Sequence, residues 1–342
     1  MPDVSVLIAA AVALFAVLLA TPLAISLAAA TDFVDRPADH KSHRHATPVL
    51  GGIAVIPSVM AGAFGGAPNA SVLGVVAAAT ALVTVTGVID DRFTLPVAVR
   101  LLAEALAGVL LWAGGVGWDI FGVAPLDLAL TVGWVVAITN ALNLSDNQDG
   151  IACSISATSA IGVALAAAFA GSEETMALAA AVAGASLGFL PYNLSRPSRI
   201  FLGDGGSLAL GLLLGTSIML LSQSTTDAGP MLVAAALFVG LPLLDVALVI
   251  HSRRRRGVSI LQGGVDHLSH RLGGRLRSTR SVAGLMAVAQ LALSLGAAAV
   301  TSLDAPAAIA IGAAAGVAGA VVVLAVEQRA PIPIKPHGDV AL

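Results

Sequence analysis

Charge is scarce in this chain: 11% of its 342 residues are Asp, Glu, Lys or Arg. Soluble domains carry roughly a quarter, so the composition excludes an ordinary water-soluble globular fold. A single cysteine, Cys153, excludes an intramolecular disulfide. The apolar stretches lack the period-2 alternation of membrane strands, which excludes a β-barrel. No linker long enough to join a separate soluble domain appears, so residues 1–330 read as one integral membrane domain, with 331–342 as a short tail. The most telling absence is electrical. Alternate gaps between the hydrophobic stretches contain no Lys, Arg or His at all.

What is present is 57% hydrophobic, with a mean hydropathy of +0.94. Crossing a hydrocarbon core of roughly 30 Å takes about 20 helical residues. Eleven stretches are read as spans, near 4–30, 49–66, 71–89, 97–115, 123–142, 151–170, 174–192, 205–222, 230–250, 281–301 and 305–326. The expected fold is an all-α polytopic membrane protein with about 11 transmembrane helices. The first stretch has no basic residue before it and is too long for a signal-peptide core, so it reads as a retained helix. All 17 Lys and Arg and all 7 His lie in or beside the gaps after the odd-numbered stretches. Inside loops are enriched in Lys and Arg. The other gaps carry only acids: Asp3, Asp119, Asp127, Glu173, Glu174, Asp227 and Asp304. The N-terminus is therefore expected outside and the C-terminus in the cytoplasm.

Five inside loops concentrate the polar chemistry. The first runs from Asp32 to Gly52 and contains Lys41, His43, two prolines and a closing Gly-Gly. A plain patch for anionic headgroups would not need that composition. The second carries Asp90 and Asp91 at the end of a hydrophobic helix, where acids oppose the macrodipole. The pair suits a metal, a proton or a cationic substrate better than it suits stability. Arg100 stands at the foot of the next helix, with Glu104 one turn on as an i,i+4 partner. In the third loop Asn143, Asp146 and Asp149 lie three apart, which a helical turn would bring to one side. Oxygen-only groups suit a hard cation such as Mg²⁺ or hydrogen bonds to a nucleoside; a simple Asn/Asp/Gly turn is the alternative.

The fourth loop runs from Asn193 to Ser207 and places Asp204 among glycines just ahead of a helix. That setting offers either a phosphate site at a helix N-terminus or an N-cap. The fifth begins with Arg253-Arg254-Arg255-Arg256, largely a topology signal, and continues to His267, His270 and Arg271. With no cysteine or third histidine nearby, zinc is disfavoured, and phosphate binding is the better reading. Asp245 falls inside a span, and intramembrane acids are functional candidates by default; pairing with a loop arginine is the bland alternative.

Taken in order, these loops resemble the polyprenyl-phosphate N-acetylhexosamine-1-phosphate transferase family, over nearly the whole stretch from Asp32 to Leu272. The resemblance implies transfer of a sugar-1-phosphate from a UDP-sugar to a polyprenyl phosphate, with UMP released and Mg²⁺ (or Mn²⁺) as cofactor. By position it implies catalytic roles for Asp90, Asp91 and Asp149. It makes Asp204 the metal ligand, with Asn143 near both metal and pyrophosphate. Lys41, His43, Arg100, Asp146, Asn193, His267, His270 and Arg271 become substrate contacts. It further implies a cell-membrane enzyme with its active site on the cytoplasmic face, in contact with membrane lipid and no nucleic acid, a homodimer being one option.

Some positions depart from the family pattern. Asn147 stands where a glycine is usual, and asparagine is the next most tolerated residue in the left-handed region. Arg100 replaces a common lysine, and Ser269 a common histidine. The last loop lacks the triple histidine of the phospho-MurNAc-pentapeptide branch, which points to UDP-N-acetylglucosamine or a related donor. Two other classes compete. A transporter would place acids such as Glu104 and Asp245 at work near the bilayer midplane. A non-catalytic membrane scaffold would follow if Asn147 disabled the nucleotide loop.

Overall fold

The computed structural model describes residues 4–36, 46–67, 70–225, 227–260 and 264–329. Lys41, His43 and the tail 331–342 lie outside the described residues. The helices are α1 (Val4–Ala30), α2 (Gly51–Gly66), α3 (Ala70–Phe93), α4 (Val97–Ala113), α5 (Ala124–Ser145), α6 (Ile151–Ala170), α7 (Glu173–Asn193), α8 (Asp204–Ser222), α9 (Ala228–Phe238), α10 (Gly240–Arg256), α11 (Leu268–Leu276), α12 (Thr279–Val300) and α13 (Ala305–Arg329). Each of the eleven expected spans appears as helix. Among the described residues eight helices are long and apolar enough to cross a membrane, and nine if the bent pair α9–α10 counts as one; α2 and α4, at 16 and 17 residues, are shorter.

The bundle is arranged around α8, which packs against α2, α3, α5, α6, α7 and α9. An 18-residue window of α8 is 94% buried, against 6% in α13. A helix apolar all round belongs in the core of such a bundle, and the leucines and valines left exposed on α1 and α13 meet acyl chains instead. Because α8 begins at Asp204, its central position sets that carboxylate in the middle of one end of the bundle.

The ninth expected span is not one helix. It breaks at Val239, and its halves meet at 70°. Gln290 of α12, fully buried, repairs the break. Its Nε2 donates to the carbonyls of Leu237 (3.2 Å) and Phe238 (2.8 Å), and its Oε1 accepts from Leu241 N–H at 2.9 Å. Freed backbone groups at membrane depth must be satisfied this way.

At the Asp204 end of the bundle the first loop contributes a two-stranded antiparallel ladder, β1 (Val34–Asp35) against β2 (Thr47–Pro48), with Val34 opposite Pro48. At the other end of the molecule, Asp127 in the first turn of α5 accepts the N–H groups of Ile120, Phe121 and Val123 at 2.9–3.0 Å. That acid fixes its own loop.

Candidate active site

The site grows from one close approach. Gly87 lets α3 lie against the first turn of α8; a Cβ there would sit 2.5 Å from Gly205 N and 2.6 Å from Asp204 O. One turn later Asp91 reaches the α8 N-terminus and accepts the N–H groups of Asp204 (2.9 Å) and Gly205 (3.2 Å). A carboxylate on orphan N–H groups at the positive end of a helix is well placed. Its predecessor Asp90 is buried and takes Leu95 N–H at 2.5 Å and Arg100 Nη1 at 2.7 Å. The same Nη1 lies 3.3 Å from Asp204, whose other oxygen accepts Asn143 Nδ2 at 2.9 Å. Asn143 also donates to Ser207 at 2.9 Å. With its amide nitrogen on Asp204, Asn143 orients that carboxylate.

The other loops are tied to this cluster. Gly51 and Gly52 donate to the carbonyls of Phe201 and Leu202 (3.0 and 2.8 Å), and Phe201 N–H donates to Pro48, joining the first and fourth loops. Arg92 donates to the Asp32 carbonyl at 2.7 Å and lies over the Phe33 ring. Gly150, at φ +79°, turns the third loop into α6, and its N–H donates to Asn193 Oδ1 at 2.6 Å. Asn193 in turn donates to Ile200 at 3.0 Å. The third loop meets α11 through two contacts, Asn147 with Ser269 and Gln148 with His270 (2.8 Å).

Together the loops enclose an open cavity of about 990 Å³. Asp91, Asp146, Asp149 and Asp204 line it beside Arg92, His270 and Arg277. Burial, reinforced by the charges of Asp204, Asp149 and Asp91, drives the Asp146 carboxyl well above the ordinary carboxylate range. An acid pushed that far marks a wall short of positive charge. His270 is held below the usual imidazole value, first by burial and then by His267. Among the described residues no three His, Cys, Asp or Glu side chains form a ready metal cage. Mg²⁺ needs none, since it keeps waters and takes one or two carboxylates plus phosphate oxygens. The oxygen donors around Asp204 fit that pattern.

Of the expected site residues, Asp90, Asp91, Arg100, Asn143 and Asp204 form one connected cluster, and Asp146, Asp149, Asn193 and His270 line the adjoining cavity. His267 and Arg271 are placed differently. His267 is buried, its Nδ1 2.8 Å from Asp245, which also takes Leu268 N–H at 2.6 Å. Arg271 is bound to Glu327 (2.8 Å) and Ser252 (3.0 Å), and neither residue lines the cavity.

Three local expectations change. Glu104 accepts from Asn140 rather than pairing with Arg100, whose nitrogens serve Asp90 and Asp204. Asp245 pairs with His267, not with an arginine. Asn147 is not left-handed: among the described residues the non-glycine positions with positive φ are Asp32, Thr94 and Arg277. The turn needs its left-handed residue at Gly150, so Asn147 imposes no strain there.

The model of glycosyl transferase family 4 matches residues 73–222, which include the Asp90–Asp91 pair, the third loop and Asp204. A probable undecaprenyl-phosphate N-acetylglucosaminyl 1-phosphate transferase of Bacillus subtilis (strain 168) is 30% identical over 280 residues, 79% of this chain and 77% of the relative. The decaprenyl-phosphate N-acetylglucosaminephosphotransferase of Mycobacterium leprae (strain TN) is 31% identical, over 74% of this chain and 73% of its own. The chain belongs to glycosyl transferase family 4. A phospho-N-acetylmuramoyl-pentapeptide-transferase of Synechococcus sp. (strain RCC307) is 36% identical over a shorter region, 55% of this chain and 58% of its own.

In this family 4 transferase the cavity also holds residues that sequence reasoning passed over. Gln148 lines it and contacts His270 of α11. Arg92, Phe33 and Arg277 line the cavity. Arg92 adjoins the aspartate pair and Arg277 follows the last histidine, so the basic content of the inside loops was the available signal.

Proposed function

We propose that this transferase moves N-acetylhexosamine-1-phosphate, with N-acetylglucosamine-1-phosphate as the preferred group, from its UDP-sugar to polyprenyl phosphate, giving the polyprenyl diphosphate sugar and UMP. The observation that carries this reading is the inner-face cavity, in which acids and bases from all five inside loops converge. Its volume of about 990 Å³ lies at the upper end of ligand clefts, about 300–1,000 Å³. The enzyme would lie in the cell membrane with this cavity toward the cytoplasm, as the first membrane step of an envelope glycan.

In the reaction an oxygen of the acceptor phosphate attacks the phosphorus that carries the sugar. A new P–O bond forms, the P–O bond to UMP breaks, and UMP leaves with the electron pair. The acceptor's second pKa is about 6, so it is largely dianionic at neutral pH and needs no strong base. Asp90 and Asp91 have both oxygens engaged by Arg100 and by backbone N–H groups, which favours direct attack over an aspartyl intermediate. Arg92, Arg277 and His270, which line the cavity, would meet phosphate oxygens, and Asp146 and Asp149 would face the nucleoside. Asp204, oriented by Asn143, would hold Mg²⁺. When bound, the cation supplies charge neutralisation to the pyrophosphate.

Purified protein supplied with a panel of UDP-N-acetylhexosamines tests the proposal. UMP should appear with at least one donor, only when polyprenyl phosphate is present, and should stop on chelation of the divalent cation. UMP release without acceptor, or none with any donor, would overturn it.

A further inference from the structure

Arg100 holds the place of a cation between two carboxylates, with Nη1 at 2.7 Å from Asp90 and 3.3 Å from Asp204. One turn along the same helix lies Glu104, 1% exposed. Its Oε2 is held by Asn140 Nδ2, and Asn140 is itself fixed on the Val136 carbonyl at 2.9 Å. Its Oε1 is buried and accepts nothing. The Nε–H of Arg100 is likewise buried and unpartnered. A buried acceptor and a buried donor without partners are costly to keep, and here they sit four residues apart on one helix. Residues at that spacing are neighbours on the helix surface, and the guanidinium is close enough to act on the Glu104 carboxylate electrostatically.

The two asparagines of α5 reinforce the arrangement. Asn143 holds Asp204 and Asn140, one turn earlier, holds Glu104. The helix therefore fixes two acceptor positions for one arginine, an upper one at Asp90 and Asp204 and a lower one at Glu104.

We infer that Glu104 is the alternate partner of Arg100: a positioning residue that receives the guanidinium when a divalent cation takes its place at Asp204. The inference rests on the metal reading given above. Arg100 and a divalent cation carry like charge and compete for the Asp204 carboxylate. Without Glu104 the displaced guanidinium would have no counter-charge in a buried setting, which is costly. With it, the displaced guanidinium keeps a counter-charge, and Arg100 returns to Asp90 and Asp204 when the cation departs.

Manganese binding to the purified full-length protein, followed by electron paramagnetic resonance of free Mn²⁺, reads this without turnover. Glu104→Gln keeps the shape of the side chain and removes its charge. It should weaken Mn²⁺ binding about tenfold, a coupling of about 1.4 kcal/mol. Arg100→Gln, which removes the competitor, should tighten it. In the Arg100→Gln background the Glu104→Gln change should have no further effect, because there is no guanidinium left to receive. Glu104→Gln with wild-type affinity, or an undiminished loss in the Arg100→Gln background, would overturn the inference and leave the metal reading standing. If wild-type protein binds no Mn²⁺, the metal reading falls and the inference with it. Should Glu104→Gln alone not fold, Arg100→Gln and the double variant still decide: equal affinities support the exchange, and a further loss contradicts it.

Discussion

Substituting Gly87 by alanine should disable the enzyme without removing a polar atom. A Cβ at this position would lie 2.5 Å from Gly205 N and 2.6 Å from the Asp204 carbonyl. Ordinary contact begins near 3.4 Å, so α3 and α8 must part by about 0.9 Å. Both neighbours are backbone atoms at a helix start, with no rotamer to give. The displacement falls between Asp91 and the N–H groups it accepts, and misplacement of about 1 Å at a reacting centre costs on the order of 100-fold in rate. Overpacking costs about 1–3 kcal/mol, partly offset by about 1 kcal/mol of alanine helix propensity. Activity should therefore fall much further than stability. Gly74→Ala, on the same helix with nothing within 4 Å, is the control and should be neutral or slightly stabilising. The assay is sugar-phosphate transfer to polyprenyl phosphate, alongside thermal unfolding in detergent. Wild-type activity in Gly87→Ala would refute the claim that this contact sets the site.

Other consequences are equally direct. Gln290→Leu removes the side-chain partner of three backbone groups at the α9–α10 break and should cost about 2–4 kcal/mol in unfolding experiments. Asp266 is held at about 2 although burial alone would raise it, because Arg253 and Arg256 clamp it. A depressed carboxylate contributes stability that is complete above its unfolded value of 3.8 and is lost as pH falls toward 2. Acid unfolding should show that loss, on the order of 2 kcal/mol, and Asp266→Asn should abolish it. His270 is depressed, so the unfolded chain takes up a proton below about pH 6.5 that the folded residue resists. Stability should decline on acidification through that range, and less so in His270→Gln.

The helices were legible because lipid demands long apolar runs. The acids of the cluster and cavity could be found because Asp90, Asp91, Asp146, Asp149 and Asp204 stand where hydrophobic helices end. What stayed hidden depends on partners far away in sequence. The break at Val239 is stabilised by Gln290, about fifty residues on, and no local signal distinguishes it from a continuous span. Glu104 sits four residues from Arg100, yet the arginine is drawn across to Asp90 and Asp204 on other helices. His267 reads like a phosphate ligand until Asp245, 22 residues earlier, is brought beneath it. Asn147 was expected to take a left-handed position that asparagine tolerates, because the left-handed position at Gly150 could not be assigned from composition.

If the sugar phosphate changes hands in the cavity headed by Asp204, that carboxylate is indispensable to transfer. Formation of polyprenyl diphosphate sugar is to be compared between purified wild-type and Asp204→Asn proteins, both shown to be folded. Cation-dependent product is expected from the wild type and none from Asp204→Asn. Full activity in folded Asp204→Asn would contradict it.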